Sequence, residues 1–196
     1  MKTHLLVLLT IFAFTFVSCK KNNGESQENT PEKVKGLVEI TLDYEKQEGS
    51  GGNQWAIWIE DEKGDLVKTV FVTNFTADGG YIPRPACTPI WVSKAKERGS
   101  LNENKIDAYS GATPQTGVHT YVWDLTDEDN NAIEKGTYTF VVEATLLMES
   151  EAIFKGEVAI GGDKEITIHP EPKFTSDEER NKETIKSVVA RYKPIK

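Results

Sequence analysis

The chain has 196 residues, of which 23 are Lys or Arg and 31 are Asp or Glu, for a net charge of −8. That acidic balance excludes the clustered basic surface on which nucleic-acid binding depends. It also supplies no electrostatic grip on an anionic membrane.

The chain opens with Met1 to His4, which carries one base, Lys2, and no acid. Leu5 to Val17 follows without a charge. This run is long enough for the apolar region of a secretory signal and too short to span a bilayer. It ends in Ser18-Cys19, which resembles a bacterial lipobox, with Phe16 where the usual pattern has Leu. On this reading residues 1–18 are a signal peptide, and Cys19 is acylated and becomes the first mature residue. The protein is then expected in a bacterial cell envelope, periplasm-facing and held to a membrane by its acyl chains. The alternative is an ordinary secretory signal with an incidental cysteine. The mature chain would carry 22 bases against 31 acids, and Cys87 would be its only other cysteine, so no intramolecular disulfide can form.

Residues 19–35 are polar, with almost no apolar content, and have the composition of a disordered tether. From Gly36 the pattern alternates, and residues 36–193 read as one β-sandwich domain. Leu37 to Tyr44 has period two. Gln54 to Glu60, QWAIWIE, is apolar on both faces, and Leu66 to Thr73 returns from the turn at Asp61–Asp65, so 54–73 is a hairpin. Val118–Asp124, Thr137–Leu147, Ile153–Ile160, Glu165–His169 and Ile185–Tyr192 complete eight strands. Gly161-Gly162-Asp163 is read as a second hairpin turn. The expected fold class is all-β, an antiparallel immunoglobulin-like sandwich.

One long insertion, residues 74–117, interrupts this grammar. It holds Pro89 to Arg98, a short helix with Thr88 to cap it, Pro89 at its first position and Gly99 at its exit. Tyr81, Ile82, Ile90 and Trp91 are expected to pack.

Gly117 to Ala144 holds a strand ending Trp123-Asp124, a polar turn, then Gly136-x-Tyr138 and an apolar strand. It resembles the immunoglobulin-like domain of flagellar hook-capping proteins. Leu125 and Asn131 stand where that pattern has glycines. A longer stretch, residues 37–169, is similar to a family of predicted periplasmic proteins of unknown function. It is carried by Trp55 and Trp58, Arg84-Pro85 with Trp91, Asp107 to Thr113, and Trp123-Asp124. Members of that family keep company with flavin transferases and with haem- or flavin-based membrane redox proteins.

Asp107-Ala108-Tyr109-Ser110-Gly111-Ala112-Thr113 also matches the acceptor motif of covalently flavinylated proteins. The match implies that Thr113 receives FMN through a phosphoester bond. Ser110, Gly111 and Ala112 would shape the loop for the transferase, and Asp107 would position it or a metal-bound phosphate. Five constrained positions recur by chance in on the order of one in a thousand chains of this length. Trp91 and Tyr109 are candidates to flank the flavin ring. Ser-Gly-Ala-Thr-Pro is equally good turn material, and Pro114 restricts Thr113 to extended conformations.

Other patterns fail. Asp127, Asp129 and Asn131 begin like a calcium loop, but Ala132 and Tyr138 break it. His119 and His169 lack partners at zinc spacing. No metal site and no catalytic constellation are expected. Two functions remain. One is a non-enzymatic redox module carrying FMN on Thr113, with a flavin transferase and a membrane redox protein as partners. The other is an envelope interaction or scaffolding module without a cofactor.

Overall fold

The computed structural model describes residues 33–48, 52–101, 106–146, 150–177 and 179–195. The signal segment, Cys19 and residues 20–32 of the tether lie outside them. Two sheets form an all-β sandwich. The four-stranded sheet contains β1 (Gly36–Tyr44), β5 (Gly117–Trp123), β8 (Ile166–Ile168) and β10 (Ile185–Pro194), in the order β5-β1-β10-β8. The six-stranded sheet contains β2 (Gln54–Glu60), β3 (Leu66–Thr73), β4 (Ser110–Gly111), β6 (Gly136–Thr145), β7 (Glu151–Ile160) and β9 (Pro172–Phe174), in the order β4-β3-β2-β6-β7-β9. The pairings are antiparallel except β3 with β4, which is parallel.

Period-two alternation sets what each strand buries. On β1, Val38, Ile40, Leu42 and Tyr44 face inward and are fully buried. They meet Trp55, Ile57, Ile59, Phe140, Val142 and Phe154 of the other sheet in the main core. The opposite face of β2 carries Ala56 and Trp58, which join a second core with Trp91, Val92 and Ala95 of α1 (Pro89–Arg98). β2 is apolar on both faces because it is covered on both sides. All four tryptophans are buried.

Helix α1 has the limits read from sequence, and Gly99 closes it at φ 72. Its N-terminus differs from expectation. Thr88 lies at φ 42, makes no capping bond, and its buried hydroxyl has no partner. The cap is Glu143 of β6, whose carboxylate accepts the backbone N–H groups of Ile90 (3.0 Å) and Trp91 (2.9 Å). A residue far along the chain thus satisfies the free donors of the first turn.

Two further expectations are corrected. The residues 161–163 do not make a hairpin, because β7 pairs with β6 and β9 while β8 pairs with β10. Gly161, at φ +95, turns the chain from one sheet to the other, and Tyr192 Oη accepts its N–H at 3.2 Å. The segment after β5 crosses between sheets in the same way. Leu125 there adopts φ 59 while its side chain is buried, so the position where the hook-capping pattern has glycine keeps a left-handed backbone. In the turn that follows, the left-handed residue is Asn130, not Asn131. Ile82 does not pack and is 73% exposed. The short strands β4 and β9 and helix α2 (Glu179–Thr184) were not visible in the sequence pattern.

Candidate functional site

Ser110 and Gly111 of the seven-residue motif form β4, an edge of the six-stranded sheet. The backbone N–H of Val72 donates to the Tyr109 carbonyl at 3.0 Å, and Val72 and Thr73 align with Ser110 and Gly111. Gly111 lies against Phe71, where a Cβ would come within 2.7 Å of the ring. Glycine is therefore required by packing at this position. Phe71 in turn stacks on Trp55 and Tyr121, with ring centroids 4.6 and 4.7 Å away.

Beyond Gly111 the backbone is irregular through Gln115. Ala112 is exposed and Thr113 half-buried. The segment bridges the edges of both sheets, since β5, which follows, is an edge strand of the four-stranded sheet. Two hydrogen bonds hold its exit. His119 Nε2 donates to the Gln115 carbonyl at 2.7 Å, and Thr116 Oγ1 accepts the Lys46 N–H at 3.0 Å. At the motif's start, Asp107 and Ala108 occupy an exposed turn closed by Tyr109 N–H to the Ile106 carbonyl at 3.0 Å. The structure thus gathers Ser110 to Thr113 at one edge and leaves Asp107 on the turn before it.

The two residues proposed to flank a ring lie elsewhere. Trp91 is 1% exposed, sits in the second core, and donates its indole N–H to Thr69 Oγ1 at 3.2 Å. It has no open face, and its assignment as a flavin contact is corrected: amphipathic α1 turns its indole into the sheet. Tyr109 is half-buried, with the Lys68 ammonium 5.1 Å from its ring centroid. Lys68 precedes the β3 residues aligned with the motif, so this ring reaches back along β3.

Sequence reading missed an exposed aromatic where β3 leaves the sheet. Because β3 and β4 are parallel, both chains leave the sheet at the same end. Phe75 stands two residues past Thr73, as Thr113 stands two residues past Gly111. Phe75 is 41% exposed, and the Arg84 guanidinium carbon lies 5.2 Å from its ring centroid. An aromatic placed directly after a strand and before Gly79-Gly80 was the available signal.

Among the described residues no cluster of three or more His, Cys, Asp or Glu side chains could hold a metal. Asp127 serves its own turn, with Oδ1 accepting the N–H groups of Asp129 and Asn131 at 2.9 and 2.8 Å. Burial pushes the Glu143 carboxyl up to about 7, against the opposing effect of its two backbone donors. Burial also raises the thiol of Cys87, a free, buried cysteine.

A covalent FMN would be held by Thr113, which is half-buried in irregular backbone just past the sheet edge. Among the described residues, no helix is long and apolar enough to cross a membrane. Residues 36–175 match the family described as predicted periplasmic protein (DUF2271), and the chain belongs to that family. No curated protein and no solved structure shows a significant match.

Proposed function

We propose that this member of a predicted periplasmic family is a lipid-anchored, non-enzymatic carrier of FMN bound covalently to Thr113, serving extracytoplasmic electron transfer. The observation that carries the reading is the acceptor motif at a free sheet edge, where another enzyme can engage its backbone. In the modification, Thr113 Oγ1 bonds to the FMN-side phosphorus of a flavin adenine dinucleotide. The pyrophosphate bond breaks, AMP leaves, and the hydroxyl proton passes to a base of the transferase. When bound, the flavin supplies reversible uptake of electrons. The protein's own residues hold the loop in place: Gly111 against Phe71, and Gln115 and Thr116 through His119 and Lys46.

The position of the loop supports a carrier. β1 runs from Gly36, paired with Pro194, to Tyr44, paired with Gly117. Its nine residues span about 27 Å. The acceptor therefore sits at the end of the sandwich opposite to where the chain enters it.

Mature protein coexpressed in the periplasm with an exported flavin transferase should be yellow and heavier by one FMN less water. Thr113→Ala should lose the flavin and change stability by less than about 0.5 kcal/mol. Thr113→Ser should keep part of the modification. Unmodified wild type beside an active transferase that labels a control substrate would exclude the carrier. Cys19→Ser should move the protein from membrane to soluble fractions. A variant that stays in membranes, with wild type taking up no fatty acid label, would exclude the anchor.

The scaffolding alternative is favoured by Val118 and Val122, which are 68% and 53% exposed on edge strand β5. It requires no flavin, so the same mass measurement separates the two.

A further inference from the structure

We infer that the pocket where the chain enters the sandwich, walled by Lys33, Lys35 and Lys135, takes the phosphate of an anionic phospholipid headgroup and docks the domain on a membrane. The choice of a lipid as occupant rests on the anchor reading above.

The pocket is built from parts of the chain that only the fold brings together. It measures about 430 Å³ and lies between the segment entering β1, the end of β10 and the turn from β7 to β8. Direct contacts hold these parts in place. The Ile195 N–H donates to the Lys35 carbonyl at 3.1 Å, which extends the pairing of β1 with β10. Tyr192 Oη accepts the Gly161 N–H and donates to the Gly162 carbonyl, both at 3.2 Å. The Lys135 stem lies across Gly161, where a Cβ would come within 2.6 Å of Lys135 Cγ. Glycine at this position therefore makes the turn, at φ +95, and leaves room for that stem. The segment 161–163, which does not make a hairpin, forms a wall of the pocket instead.

The charge of the pocket opposes that of the chain. The protein carries −8 overall, whereas the pocket is lined by three lysines and one acid, Asp163. The overall balance conceals this, because Lys135 joins Lys33 and Lys35 only through the fold. Among the described residues none of the three lysines has a carboxylate within ion-pair distance, whereas Lys193 of β10 is paired with Glu39 at 2.7 Å. Three unpaired ammonium groups around one concavity favour a compact anion such as a phosphate, which lysine binds as a point charge.

Two features select a lipid headgroup over a soluble phosphate. Only residues 20–32 separate Cys19 from Lys33. That length spans at most about 45 Å when fully extended, so an anchored protein keeps this pocket within reach of the membrane surface. Ile195 lines the same pocket and is 58% exposed. An apolar side chain beside lysines enters the acyl boundary while the ammonium groups stay level with the phosphates.

The test uses the mature chain with Cys19→Ser, which cannot be acylated, so headgroup binding is read without the anchor. It is sedimented with phosphatidylcholine vesicles that contain or lack phosphatidylglycerol. It should bind the vesicles with phosphatidylglycerol, not those without, and salt should weaken the binding. Lys33→Gln, Lys35→Gln and Lys135→Gln should each lower the affinity by about five-fold. Asp163→Asn should raise it, and Ile195→Ser should lower it without changing its salt dependence. Lys46→Gln removes the same charge at the far end of β1 and should leave binding unchanged. Lys20 and Lys21 of the tether stay in every variant. No binding to the phosphatidylglycerol vesicles overturns the inference, as does an equal loss from Lys46→Gln and Lys135→Gln, which would mean diffuse charge and no pocket. A protein that binds glycerol 1-phosphate in solution but not the vesicles overturns the lipid assignment. Uptake of fatty acid label by wild type is a separate measurement, so failure of the anchor and failure of the pocket are distinct results.

Discussion

The inner face of the six-stranded sheet meets the opposite sheet through Trp55, Ile57, Phe140, Val142 and Phe154, whereas its outer face meets α1 through Trp58, Val141 and buried acids. The inner contact is almost wholly apolar. The outer one is stitched by directional bonds. Glu143 caps α1, the Trp91 indole N–H donates to Thr69 Oγ1 at 3.2 Å, and Glu128 accepts the hydroxyls of Thr69 (3.2 Å) and of Ser100 just past the helix. Area burial brings two sheets together but does not fix where a short helix sits. Paired carboxylates do fix it, because any slip would leave a buried acceptor unsatisfied. The inner core therefore carries the stability, and the outer one positions the insertion that leads to the Asp107–Thr113 segment.

Removing a large inner side chain should break this comparison most severely. Trp123 packs edge-on against Tyr138, with centroids 5.4 Å apart, and donates to the Thr126 carbonyl at 2.8 Å. Trp123→Ala should cost about 3–5 kcal/mol in urea unfolding. A loss below about 1 kcal/mol would mean the inner core does not carry the fold.

Gly111→Ala should cost about 1–3 kcal/mol, because the new methyl meets Phe71 in the inner core. Hydrogen exchange at the Val72 amide, which bonds to Tyr109, should quicken if the acceptor edge detaches. A neutral effect would show that the motif's glycine is free of packing.

The outer face should show itself through pH. Burial raises the Glu143 carboxyl from its ordinary value to about 7, so between about 4.5 and 7 the folded state holds a proton that the unfolded state has lost. Stability should therefore fall as pH rises through that window and level off above it, by about 1–3 kcal/mol. Glu151, raised by burial, adds to the same slope, while the Lys155 charge near Glu143 opposes it. Glu143→Gln keeps an acceptor for α1 without the titration and should flatten most of the slope. An unchanged slope would place its origin elsewhere.

Legibility followed the range of the interactions. Helix α1 could be read to its last residue because Pro89 and Gly99 act locally. The hairpin of β2 and β3 could be read because one short turn joins them. The segment 161–163 carried the same local signal and misled, since a glycine turn does not say which sheet the next strand joins. In the candidate site, the motif from Asp107 to Thr113 was visible as a string. Its place at the sheet edge beside β3, with Gly111 against Phe71, was not, because a parallel pairing of two residues leaves no periodic trace.

Alternation and punctuation by themselves determined the all-β class, the buried tryptophans, α1 and the location of the Asp107–Thr113 motif within the one irregular insertion. These depend on each residue's own preference for water, for φ, or for its near neighbours. Tertiary structure alone decided the strand order, the capping of α1 by Glu143, the burial of Trp91 and the exposure of Phe75. Each of these depends on which distant surface arrives to cover a side chain, and that is settled only when both sheets and the insertion compete for the same buried area.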